Sequence, residues 1–148
     1  LAIEDTGWRL PRPRRACASF LLGSRVFLVG GLGARFDAVG EVDVLDLSSG
    51  AWSLAESPAS TRLGAHAATL GAVAYLAGGT SAGAGEARSL ERYRAEHGWS
   101  TVCAELPFST RNQVLLTRGS ALLFVRVEPG AAPRLMIHAL APTDAPTS

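Results

Sequence analysis

The chain is short of most features that would betray a chemistry or a compartment. It has two cysteines, Cys17 and Cys103, in 148 residues. That is too few for a disulfide framework, so a reducing compartment, the cytoplasm, is expected. It has no excess of either charge. Fourteen basic residues stand against thirteen acidic ones, a net charge of +1. Such a balance gives no field to draw in nucleic acid or an anionic membrane, so neither is expected as a partner. No apolar run is long enough to cross a bilayer. Leu1-Ala2-Ile3-Glu4-Asp5 has no basic flank and reads as no signal peptide. No window of ten or more residues carries a helical stripe.

Catalytic groups are also scarce. The three histidines, His66, His97 and His138, show no zinc-type spacing. The glycine-rich stretch from Gly78 to Gly85 lacks the lysine of a phosphate loop. Glu41, Asp43 and Asp46 are near in sequence but do not read as a general acid/base pair. No cofactor or metal is expected.

What is present is a repeat. Shifting the chain by 48 positions lays Arg14 on Arg62, Leu22-Gly23 on Leu70-Gly71, Phe27-Leu28 on Tyr75-Leu76, and Gly30-Gly31 on Gly78-Gly79. Trp52 follows the first glycine pair and Trp99 the second at nearly equal distance. A third copy is weaker: Arg126-Val127 stands where a glycine pair is due, and Arg111 sits one place late. Repeats at this period mean stacked supersecondary units.

Each full period reads as four short strands between turn signals. In the first these are Cys17 to Leu22, Val26 to Val29, Val42 to Leu47 and Trp52 to Leu54. In the second they are Ala65 to Leu70, Val73 to Ala77, Ser89 to Tyr93 and Trp99 to Val102. Val26-Phe27-Leu28-Val29 is apolar without alternation, the pattern of a strand covered on both faces. Residues 1–10, with Trp8 to Leu10, read as the outer strand of a neighbouring unit. Residues 11–54 and 55–105 read as units, and 106–148 as a divergent one.

Arg14, Leu22-Gly23, Val26 to Gly31, Leu45-Asp46 and Trp52 resemble the kelch repeat, as do Arg62, Leu70-Gly71, Ala74 to Gly79, Tyr93 and Trp99. The resemblance implies an all-β fold of about three four-stranded propeller blades. It implies glycine pairs that let blades approach and tryptophans buried between blades. Arg14 and Arg62 carry two readings, structural anchors or ligand contacts, with the anchor favoured. Three blades do not close a ring. Further blades of a longer chain, or a second copy, are expected beside these.

The function implied is recognition of a protein or peptide at the propeller mouth, without catalysis, as in adaptors of cullin-type ubiquitin ligases. A kelch-based oxidase or sugar-derivative isomerase and a cytoskeletal scaffold are the alternatives. Binding loops are expected at Leu32 to Val39, with Arg35, Phe36 and Asp37, and at Thr80 to Arg88. The segments leading into each blade, with Arg14, Arg15, Arg62 and Arg111, complete the set. Ala16 and Gly64 stand where some kelch adaptors carry arginines for acidic peptides, which leaves Arg15 and Arg35 as substitutes.

Overall fold

The structure, a computed structural model, describes residues 5–81 and 85–143. Residues 1–4 of the expected outer-strand block, 82–84 of the glycine-rich loop and 144–148 of the last block lie outside the described residues. Among the described residues the fold is all-β, with 51% of them in strands or bridges and no helix.

Three antiparallel sheets follow one another along the chain. Sheet I is β1 (Ala18–Leu22), β2 (Arg25–Val29), β3 (Val42–Asp46) and β4 (Trp52–Ala55), paired in that order. A two-residue strand, β5 (Arg62–Leu63), precedes sheet II. Sheet II holds β6 (His66–Leu70), β7 (Val73–Ala77), β10 (Leu90–Arg94) and β11 (Gly98–Cys103). Between β7 and β10 lie β8 (Thr80–Ser81) and β9 (Gly85–Glu86), which join β5 in a small fourth sheet. Sheet III is β12 (Gln113–Arg118), β13 (Ala121–Glu128) and β14 (Arg134–Leu140).

The local chemistry explains the strands. Gly23, Gly71 and Gly119 each take φ +58 at the head of a two-residue turn, with Leu22 facing Arg25, Leu70 facing Val73 and Arg118 facing Ala121. Glycine there is what a tight hairpin of this hand requires. Asp46 Oδ1 accepts the amide of Ser48 at 2.8 Å and closes the turn before β4. The Ser48 hydroxyl, then its amide, hold the Asp46 carboxyl below its ordinary pKa.

The first strands of the sheets, β1, β6 and β12, lie side by side, and each sheet packs a face on the next. Between I and II lie Phe20, Phe27, Val42, Val44, Leu76 and Tyr93. Phe20 and Phe27 stack at 4.7 Å, Phe27 meets Tyr93 at 5.1 Å, and Tyr93 meets Trp99 at 5.2 Å. Between II and III the filling is Tyr75, Leu90, Leu106, Leu115, Leu122 and Phe124. Burial of side chains of this size contributes roughly 1.5–3 kcal/mol each.

One expected strand is absent. Trp8 to Leu10 forms no strand. A strand needs an edge to pair with, and this segment reaches none. The Trp8 indole instead lies against the turn at Gly50. Among the described residues β14 pairs with β13 alone.

Candidate functional site

Arg14 and Arg62 are placed alike, with side chains only 1% exposed. Arg14 donates from Nη1 to the carbonyls of Leu28 (3.1 Å) and Gly30 (2.8 Å), and from Nη2 to the Glu41 carbonyl (2.9 Å) and Asp43 (2.6 Å). Arg62 donates to the carbonyl of Ser89 (2.9 Å), the Ser89 hydroxyl (2.6 Å) and Glu91 (2.6 Å). Asp43 and Glu91 are themselves one period apart. Each arginine thus ties a lead-in segment to the second and third strands of its own sheet. Their terminal Nη atoms are spent on groups of the same chain and their side chains are buried, which fits the anchor reading of these two residues rather than the surface one. In sheet III both members of the pair are gone together. Thr110 takes the arginine's place, with its hydroxyl bonded to the Ala87 carbonyl (2.8 Å), and His138, which pairs with Phe124 as Glu91 pairs with Leu76, takes the acid's. Arg111 lies one residue on and is exposed.

The glycine pairs divide the work of close approach. A Cβ at Gly30 would collide with the Arg62 carbonyl oxygen, and one at Gly78 would stand 3.1 Å from that of Thr110. The first glycine of each pair admits the lead-in of the next sheet. The second, Gly31 or Gly79, admits the lead-in of its own, at Arg15 or Leu63.

These lead-ins and the β2–β3 and β7–β10 loops gather at one end of the sheets. Ala16, Gly64 and Asn112, spaced by the same period, all take left-handed backbone, with φ of +53, +64 and +53. Bridges join Arg15 to Leu32 and Leu32 to Ala38, the counterparts of Leu63, Thr80 and Glu86 in the small sheet. At the tip of the first of these loops stands Phe36. It is 70% exposed, left-handed at φ +62, and the Arg15 guanidinium covers its ring at 4.2 Å. Left-handed backbone costs an ordinary residue about 1–2 kcal/mol. Two such residues, Ala16 and Phe36, thus flank an exposed arginine–aromatic pair. A cavity of about 260 Å³ lies beside it, lined by Pro13, Arg15, Leu32 and Phe36.

A second cavity of about 300 Å³ opens between sheets II and III. Its walls include His66, Glu86, Arg111 and Gln113. Burial pushes the Glu86 carboxyl up, but bonds from the Ser109 hydroxyl and from the amide and hydroxyl of Thr110 outweigh it and leave the pKa lowered. Gln113 is buried, and neither amide atom finds a partner among the described residues.

The remaining expected residues scatter. Arg35 and Asp37 are exposed on the Phe36 loop, where the Gly33 amide donates to the Asp37 carbonyl at 2.8 Å. Arg88 leaves the mouth and pairs with Glu105 at 2.8 Å. Trp99 packs in the aromatic joint and donates to the Glu56 carbonyl at 2.8 Å. Trp52 is half-buried beside Leu45, on a face that no sheet covers. Cys17 and Cys103 are free thiols. Among the described residues no three His, Cys, Asp or Glu side chains gather as metal ligands, and no helix is long and apolar enough to cross a membrane.

Sequence reasoning named Arg15 and Phe36 separately but not their contact. It missed Thr110 and Gln113, although the period carried from Arg62 and Ala65 lands on both. The chain matches no protein-family model and no curated protein.

Proposed function

We propose that the chain is part of a kelch-type β-propeller that recognises a protein partner at its mouth and performs no chemistry of its own. The carrying observation is the Arg15–Phe36 pair. A large aromatic ring is held in water on strained backbone beneath a guanidinium, where the fold gains nothing from its exposure. Arginine and aromatic side chains dominate binding energy at protein interfaces. Strained backbone of this kind clusters where function demands it. Arg35 and Arg111 add positive charge along the same end, which favours an acidic peptide segment.

The repeat pattern and the side-by-side first strands support the propeller reading, and the resemblance supports a substrate-adaptor role. A peptide library selected on the chain tests recognition. Selected sequences should be acidic, and Arg15→Ala with Phe36→Ala should weaken them at least tenfold. Exposed Leu47→Ala, beside the β1–β2 turn at the opposite end of sheet I, should leave them unchanged. Peptides indifferent to Arg15 and Phe36 would refute the proposal.

A further inference from the structure

β2 and β7 carry the same apolar pattern, yet they are buried differently. All five residues of β7 are buried, because sheet I covers one face of sheet II and sheet III covers the other. In β2 the face of Phe27 and Val29 is buried against sheet II, while Val26 and Leu28 on the opposite face are only half-buried. On that face Leu21 and Leu54 are 50% and 63% exposed. Its counterpart in sheet II, one period on, bears Ala74, Leu76 and Tyr93, the residues that dock on sheet I.

Sheet III shows the converse. Leu115, Leu122 and Phe124 face sheet II. Strand pairing places Val114, Leu116, Val127, Leu135 and Ile137 on the other side, each 42% to 63% exposed. Two periods back, Val114 and Leu116 correspond to Ala18 and Phe20, which meet the next sheet. Among the described residues, five of the twelve exposed large apolar side chains lie on this one face. Soluble proteins rarely leave such a patch bare.

We infer that the outer face of sheet III is an interface for a second copy of this chain, whose sheet I packs on it through Leu21, Val26, Leu28 and Leu54. The two joints within the molecule set the pattern: the forward face of one sheet receives the rear face of the next. Among the described residues, sheet III offers an uncovered forward face and sheet I an uncovered rear face, while sheet II is covered on both. A second copy supplies both halves, and the near-zero net charge of +1 opposes no self-association. Sheet III lacks the glycine pair, so Arg126 keeps the partner's lead-in from approaching as Arg62 approaches Gly30. The contact therefore rests on the apolar faces. Two copies related by a twofold axis close the interface on itself, since each gives one face and receives the other.

Sedimentation of the chain over a concentration series tests this. The expected result is a dimer that Ile137→Glu or Leu116→Glu weakens at least 100-fold, with strand content unchanged by circular dichroism. Leu21→Glu should weaken it equally. Mixing Leu21→Glu with Ile137→Glu chains should restore part of the association, because one matched pair of faces survives. A wild-type chain that stays monomeric at high concentration would overturn the inference. So would a dimer that Leu21→Glu leaves intact, which is the behaviour of two sheet III faces packed on each other.

Discussion

The joint between sheets I and II and the joint between II and III occupy equivalent places in the repeat but are built differently. The first is aromatic, with Phe20, Phe27, Tyr93 and Trp99 in mutual contact. It is crossed by a lead-in whose arginine meets a buried carboxylate, and the glutamate's second oxygen takes the Ala59 amide at 2.8 Å. The second mixes leucines with a smaller ring cluster, Phe108 against Phe124 at 5.2 Å and stacked on His138 at 4.0 Å, is crossed at Thr110, and buries at Gln113 an amide without a partner among the described residues. One backbone plan thus tolerates loss of the ion pair when both members leave together. Removing one alone would strand a buried charge.

That contrast sets the expected order of effects. The largest belongs to Arg62→Met, which orphans Glu91 and should cost about 3–5 kcal/mol in denaturant unfolding. Thr110→Val at the equivalent place removes one hydroxyl shared between the Ala87 carbonyl and the Glu86 carboxylate but strands no buried cation or anion without other partners, at a cost of about 1–2 kcal/mol. Equal losses at the two positions would break the comparison.

Gly30→Ala comes next. It places a Cβ against the Arg62 carbonyl at a positive φ and should cost about 2–4 kcal/mol. Gly64→Ala meets nothing within 4 Å, so only backbone strain of about 1 kcal/mol remains. Thermal melts of the two variants separate crowding from strain.

Gln113→Met should stabilise the chain by about 1 kcal/mol, because it removes an unpartnered buried amide while keeping the side chain's length. A loss of stability would show that the amide is held by a partner.

The smallest effect is acid sensitivity at Glu86. Its folded pKa is lowered, so its contribution is complete above the ordinary glutamate value of about 4.3. It disappears as pH falls through the lowered value. Glu86→Gln should flatten the unfolding midpoint below that pH and leave it little changed in slope at neutrality.

The strands of sheets I and II were legible because apolar runs, hairpin glycines and the period of 48 agree with one another, and the structure sets their ends within about two residues. The ion pairs were not. Asp43 was visible as an acid, but nothing local shows that a side chain on a central strand faces an arginine 29 residues earlier. Arg111 drew attention in place of Thr110 because residue type outweighed register. Trp8 to Leu10 looked like a strand from composition, whereas strand formation depends on a partner edge that composition does not reveal. The mouth was legible as loops. Its Arg15–Phe36 contact depends on left-handed backbone at Ala16 and Phe36, residue types that give no such signal.

Native-state hydrogen exchange tests most directly whether the joint held by the Arg62–Glu91 pair outlasts the one that buries the unpartnered Gln113 amide. The Ile137→Glu chain is the one to measure, so that no second copy covers sheet III. Amides of β2, β6 and β7 should exchange only by near-global unfolding, while those of β12, β13 and β14 should open at a clearly lower free energy. Equal protection across all three sheets would contradict the account.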